Sequence, residues 1–165
     1  MYLQYKQIQD TIADREALYA LRNEPRDLYW SGYIQAHSIE SFTAWYKQQL
    51  QRKDRVIWLI SYMDNTVLGY LYLNKLQEEQ ITIAELSIGI SEHHKGKGLG
   101  TLAINFLVDY CKNIGIKVIR AWIVEENIAS IKSFIKSGFS PTTITKKVYY
   151  ESFGKELILR QYDTH

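Results

Sequence analysis

Three glycines at alternate positions, in Lys95-Gly96-Lys97-Gly98-Leu99-Gly100, place the tightest constraint on this chain. They lie between an apolar, strand-like run, Leu86 to Ile90, and a strongly periodic stretch from about Leu99 to Asn113. Bare backbone between a strand and a helix can turn sharply and close its N–H groups on an anion. The helix start adds unsatisfied N–H groups and the positive end of its dipole, and Lys95 and Lys97 add charge. The segment is suited to cradle a phosphate; the competing reading is a glycine-rich turn with no ligand. Two common phosphate patterns do not fit. A P-loop requires Gly-x-x-x-x-Gly-Lys-Ser/Thr. Counted from Gly89 the second glycine falls on His94, and from Gly96 on Thr101. A dinucleotide fingerprint begun at Gly96 also needs glycine where Thr101 stands.

The chain has 165 residues, which suits a single domain over residues 1–165 with a substantial core. The formal net charge of +2 is too small to imply a nucleic-acid partner, and the densest basic group, Arg52, Lys53 and Arg55, is interrupted by Asp54. One cysteine excludes an internal disulfide framework and fits a reducing compartment. No segment approaches 18 consecutive apolar residues, and the N-terminus lacks a basic region followed by an apolar run. The expectation is a cytoplasmic protein without a membrane partner, as monomer or homodimer.

Taken in order, Tyr2 to Ile8 reads as a strand. Thr11 or Asp10 caps a helix to about Leu21, which Asn23-Glu24-Pro25 ends. Asp27 to His37 is an aromatic stretch, and Ser38 with Ser41 opens a second helix through Gln49. Val56 to Ile60 and Val67 to Leu73 form a hairpin around Met63-Asp64-Asn65-Thr66, and Ile81 to Ile90 is the next strand. The helix after the glycines shows Leu99, Leu102, Ala103, Phe106, Leu107 and Tyr110 on one face, widened by Ile104, Val108 and Cys111, and ends at Gly115. Ile116 to Val124 is a strand, parallel to the preceding one if the helix is a crossover. Asn127 caps a short helix with Ile128, Ile131, Phe134 and Ile135 inward, closed by Gly138. Thr142 to Glu151 and Glu156 to Gln161 make a final hairpin.

The glycine segment fits Gln/Arg-x-x-Gly-x-Gly/Ala, with Lys95 in place of the usual Arg or Gln. Here the chain resembles the acyl-CoA-binding signature of the GCN5-related N-acetyltransferases (GNAT superfamily). Asn127, Ser130, Phe134, Lys136, Gly138 and Phe139 match a second pattern of that family, Asn-x-x-Ala/Ser-x-x-x-Tyr/Phe-x-Lys-x-Gly-Phe. The element order also agrees over almost the whole chain. The resemblance implies an α/β (α+β) GNAT fold. Its mixed central sheet has about six to seven strands, helices on both faces and a splayed pair of parallel strands. It implies acetyl-CoA as co-substrate and no metal. The pyrophosphate would sit on the backbone of Lys95, Gly96, Lys97, Gly98, Leu99, Gly100 and Thr101. The pantetheine would pair with the free edge at Ile88, Gly89 and Ile90, with Asn127 and Phe134 beside it.

The implied reaction is acetyl transfer to a primary amine of a small molecule, an amino sugar ahead of a polyamine. The alternatives are a protein N-terminus or lysine as acceptor, or a non-catalytic acyl-CoA sensor. Leu21-Arg22-Asn23 and Trp45 loosely resemble the subset acting on ribosomal-protein N-termini, polyamines and nucleotide-linked amino sugars. An amine of pKa about 10.4 is neutral in only about one molecule in 2,500 at pH 7, a handicap of about 4.6 kcal/mol. Glu85, which shares a strand face with Ser87 and Gly89, is the candidate base, acting directly or through water. Phe134 stands where the family often has the tyrosine that reprotonates the thiolate, so the acid is unassigned. Tyr29, Trp30, Tyr33 and His37 fall where the family builds its acceptor pocket. Adjacent His93 and His94 have no third ligand at metal spacing, and Cys111 reads as core.

Overall fold

The computed structural model describes residues 2–164, so Met1 and His165, the ends of the expected domain, lie outside the described residues. Seven strands share one sheet in the order β1-β2-β3-β4-β5-β7-β6. They are β1 (Leu3–Gln7), β2 (Arg55–Tyr62), β3 (Val67–Glu78), β4 (Ile81–Ile90), β5 (Val118–Val124), β6 (Phe139–Tyr150) and β7 (Lys155–Thr164). The helices are α1 (Ile12–Arg22), α2 (Pro25–Ser31), α3 (Ile39–Gln51), α4 (Leu99–Asn113) and α5 (Ile128–Lys136). Strands β1 to β4 form an antiparallel meander, and α4 crosses over to β5, which is parallel to β4. Both β5 and β6 run antiparallel to β7.

Strand alternation divides the core. Trp58, Ile60, Leu71 and Leu73 face α4 and pack with its Leu99, Ile104, Leu107 and Cys111. Ile57, Leu59, Tyr70 and Tyr72 face the opposite way, against Leu18 and Leu21 of α1 and Phe42 and Tyr46 of α3. Helices therefore cover both faces. A third cluster joins Val124, Leu157 and Leu159 to Trp30, Trp122, Tyr150 and Phe153. Three helix starts carry side-chain caps: Thr11 accepts from the Asp14 N–H, Ser38 from the Ser41 N–H and Asn127 from the Ser130 N–H.

The structure corrects several boundaries. The aromatic stretch after Pro25 contains the short helix α2, with Pro25 in its first turn and Gly32 in the left-handed conformation at its end. Seven residues are too few to show a helical period. Strand β3 runs on to Glu78, β5 begins at Val118, and the last hairpin pairs 139–150 with 155–164. On α4 the buried face is rotated: Ile104, Val108 and Cys111 are interior and Leu102 is exposed. Aromatic rings of β1 and β2 pack along its flank, with Tyr5 stacked on Phe106 at 3.9 Å. On α5 Phe134 is buried, but Ile128 and Ile135 are exposed, because α5 packs on α4 and β6 by its other side.

Parallel pairing of β4 with β5 covers Ile83, Ala84 and Glu85 against Val118, Ile119 and Arg120, and stops there. Beyond that point β4 continues to Ile90 along β3, while β5 continues to Val124 along β7. Each strand keeps the partner on its outer side, and the two halves of the sheet part. The expected splay is present. On the β4 side it is braced by Tyr70, the register partner of Gly89. A Cβ at Gly89 would lie 2.7 Å from Tyr70 Oη and closer still to the ring. Gly89→Ala therefore overpacks against the buried Tyr70 ring, with an expected loss of about 1–3 kcal/mol in the unfolding free energy read from urea titration.

A second prediction concerns alkaline pH. Burial pushes the Cys111 thiol up to about 12 and the Tyr72 hydroxyl up to about 12. Unfolded, such groups ionise near about 8.5 and 10. The unfolded chain then releases its protons first. Stability is full below about pH 8.5 and declines from there to about 12. Urea midpoints measured between pH 7 and 11 should show this fall, and Cys111→Val should delay its onset.

Candidate active site

The parted strands open into a cleft of about 640 Å³, a volume usual for small-molecule sites. Its middle is walled by Leu86 to Ile90 of β4 and by Trp122, Ile123 and Val124 of β5. The β4 edge facing β5 has no strand partner from Leu86 onward, so its backbone groups are free for a ligand.

One end of the cleft is the glycine segment. Gly96 and Gly98 both have φ near +76°, and a Cβ built on either meets nothing within 4 Å. The space they leave open belongs to the cleft. Gly98 is the N-cap of α4 and offers no side-chain cap, so the first N–H groups of this 15-residue helix are left for a ligand. Lys95, Gly100, Thr101, Asn127 and Phe134 also line the cleft. Asn127 spends its carbonyl oxygen on the Ser130 N–H and keeps its amide donors. Lys95 pairs with Glu92. Lys97 is exposed and does not line the cleft, and Leu99 lines it from a position buried in the core. His94 lines it too, with a buried Nδ1 that has no protein partner. That is a contact the residue order gave no reason to expect.

The cleft wall also carries a cluster that the sequence reading missed. Arg22 Nη1 donates to Asp27 Oδ1 at 2.7 Å, to Tyr70 Oη at 2.7 Å and to Ser31 Oγ at 3.2 Å. Tyr70 Oη donates to Asp27 Oδ2 at 2.5 Å. Burial alone would pull Arg22 down, but the Tyr70, Tyr72 and Asp27 oxygens override it and hold the guanidinium charged. Burial pushes the Asp27 carboxyl up, and Arg22 and Tyr70 offset this only in part. The available signal was weak, an Arg22 and an Asp27 five residues apart in a stretch that also holds Asn23, Glu24 and Arg26. Glu24 ties the same turn to the end of β4, accepting from Ser91 Oγ at 2.7 Å and from the Glu92 N–H at 3.0 Å.

Of the four aromatic acceptor candidates, only Trp30 lines the cleft. As a helix, α2 turns Arg26, Asp27 and Trp30 to one side, and Tyr29 packs away on Phe153 at 4.2 Å. Tyr33 and His37 follow the Gly32 cap; they meet edge to face at 4.7 Å and line a separate depression with Ser38 and Glu151. Tyr150, from the β6–β7 hairpin, takes the place expected of them.

Glu85 lies at the last paired position before the strands part. Ser87 and Trp122 line the cleft just above it, and Glu85 does not. Phe134 is buried and packs edge to face on Phe139 at 5.0 Å. Among the described residues no cluster of His, Cys, Asp or Glu could hold a metal ion. None of their helices is long and apolar enough to cross a membrane.

Comparison with known proteins agrees with this geometry. An uncharacterized protein of Methanocaldococcus jannaschii is 32% identical over 140 residues, covering 83% of this chain and 28% of its own length. An uncharacterized N-acetyltransferase of the same organism is 21% identical over 145 residues, covering 78% and 63%. This chain thus spans less than two thirds of either relative. Among solved structures, a spermidine N-acetyltransferase from Vibrio cholerae, in complex with CoA and spermine, superposes with a TM-score of 0.84. It is 16% identical, with 98% of this chain and 94% of that one covered, and shows the fold alone. A domain from Methanocaldococcus jannaschii superposes with a TM-score of 0.73 at 30% identity, covering 98% of each chain. The sequence profile of the acetyltransferase (GNAT) family matches residues 22–139, and the chain belongs to that family.

Proposed function

We propose that this chain is an acetyl-CoA-dependent N-acetyltransferase that acts on the primary amine of a small molecule by direct attack within a ternary complex. The observation that carries the reading is the parting of β4 from β5 directly above a glycine cradle at a helix start. These residues fit the co-substrate. Bare backbone at Gly96 and Gly98 would take the pyrophosphate, and the free edge of β4 would take the amides of the pantetheine arm. Backbone N–H groups near Ile88 to Ile90 would polarise the thioester carbonyl.

Glu85 removes the amine proton, and its place below the opening makes a bridging water the route. Asp27 does line the cleft, but Arg22, Tyr70 and Ser31 already occupy its oxygens. Phe134 has no proton to give, so the leaving thiolate departs as such; a thiol of pKa about 8.5 is a fair leaving group.

The acceptor end favours an amino sugar over a polyamine. Its aromatic walls, Trp30, Tyr72 and Tyr150, suit stacking on a sugar ring. Among the described residues the one carboxylate lining the cleft, Asp27, is neutralised by Arg22, so none of them there is left to hold a second ammonium.

The test is thiol release from acetyl-CoA over a panel of amino sugars, polyamines and N-terminal peptides, beside calorimetry with CoA. Turnover with an amino sugar is expected; binding without release for every acceptor would make the chain a sensor instead. Glu85→Gln should lower kcat by about 10²–10⁴ while CoA affinity is retained. Gly98→Ala should weaken CoA binding about tenfold, since a left-handed residue bearing a Cβ costs about 1–2 kcal/mol.

A further inference from the structure

The carboxylate of Glu85 has an arginine as a register partner, yet it does not pair with it. On β5 its register partner is Arg120, whose guanidinium is engaged by Glu78 at 2.9 Å and Asp163 at 3.2 Å. On β3 its partner is Asn74, which accepts from Arg55 Nε at 2.6 Å, while Arg55 Nη1 donates to Gln49. The hydrogen bond Glu85 does make runs from Trp122, whose indole Nε1 donates to Glu85 Oε2 at 3.2 Å. Trp122 is the second residue of β5 past the last paired position, and its ring lines the cleft. Lys146 Nζ, reaching across from β6, sits 4.2 Å from the centroid of that ring.

The geometry points to Trp122 as a positioning residue for Glu85, a role that rests on the reading of Glu85 as the base. An ion pair would hold a carboxylate in its charged form and make it a poorer base. A neutral N–H fixes its direction with less of that penalty. The sheet supplies this arrangement by committing Arg120 and Arg55 to other partners and leaving the indole as the donor. Lys146 holds the ring from its π face, a contact that favours one orientation of the indole plane. One carboxylate oxygen is thereby held at the apex of the splay, and the other is left for the water that meets the amine. The N–H of Trp122 comes from the strand that parts from β4, so the base is aimed by the edge of the cleft it serves.

Two measurements test this. The chain has four tryptophans, so the indole N–H region of a nitrogen–proton correlation spectrum is small, and Trp122→Phe assigns its own peak by loss. Glu85→Gln should move that peak and leave the others in place; an unmoved peak overturns the hydrogen bond in solution. In kinetics, Trp122→Phe should lower kcat about tenfold, the scale of one hydrogen bond to a charged group. The acetyl-CoA KM should hold, and a Glu85→Gln background should show no further loss. Equal losses in both backgrounds would overturn the positioning role. Full activity of Glu85→Gln would instead overturn the base assignment, while the spectrum reports the Trp122–Glu85 hydrogen bond independently of turnover.

Discussion

The site depends on where the parallel pairing of β4 and β5 ends. Three residue pairs hold the strands together up to Glu85 and Arg120. Past that point the ladder stops, although both strands continue. An unpaired strand edge is costly inside a protein. It persists here because each strand keeps a full antiparallel partner on its other side, β3 for β4 and β7 for β5. The sheet thus yields a cleft with no loss of outer pairing, and leaves backbone edges unpaired along it. The salt bridges of Arg120 to Glu78 on β3 and Asp163 on β7 clamp the closed end, where the strands must stay together for the open end to keep its width.

The walls of that opening are tied to separate parts of the chain. On the β4 side, Tyr70 lies over Gly89 and is held in turn by Arg22 and Asp27. Glu24 fastens the α1–α2 turn to Ser91 and the Glu92 N–H, just before the glycine cradle. The segment that shapes the acceptor end is therefore bonded to the strand that would carry the thioester. On the β5 side, Ser152 donates to the Tyr29 carbonyl at 2.6 Å, and Phe153 packs against Tyr29 and Trp30. The β6–β7 hairpin thus reaches back to α2, and Trp30 stands where the two sides meet. A substitution at Gly89 or Glu24 acts on both binding ends at once, with no ligand contact of its own required.

The sequence was most legible where local chemistry and long-range packing agree. The α4 boundaries followed from a glycine N-cap and a long apolar period, and the caps at Thr11, Ser38 and Asn127 from their side chains. The cradle followed from the glycine spacing and the parallel pairing from a helix placed between two strands, while the splay was implied only by the family resemblance. Legibility failed where a few residues depend on distant partners. Helix α2 is too short to have a period, so the cleft-facing side of Asp27 to His37 was hidden, and three of its four aromatic candidates face elsewhere. The Arg22, Asp27, Tyr70 and Ser31 cluster joins positions up to 48 residues apart in the chain. Ile128 and Ile135 kept their period on α5 but met solvent, because the period does not say how much neighbouring structure a short helix receives.

Shared fold and shared acceptor are separable properties in this family, and the acceptor proposed here rests on the electrostatics at the Trp30 end. A polyamine carries several ammonium groups, and holding them requires carboxylates not already neutralised. Asp27 is engaged by a guanidinium and two hydroxyls, while Glu24 and Glu92 turn toward Ser91 and Lys95 at the cradle. Five cations line the cleft against that one carboxylate: Arg22, Arg26, Lys95, Lys132 and Lys136. Those at the glycine end match the phosphates of a CoA. Arg26 pairs with Glu92 at 3.6 Å beside the cradle, and Arg22, bonded to Asp27 and Tyr70, is the cation beside Trp30 that would repel a second positive charge on the ligand. A single amine on a body rich in hydroxyl or anionic oxygens meets less of that repulsion than a polyamine does. The balance of fixed charge separates acceptor classes that the backbone superposition cannot.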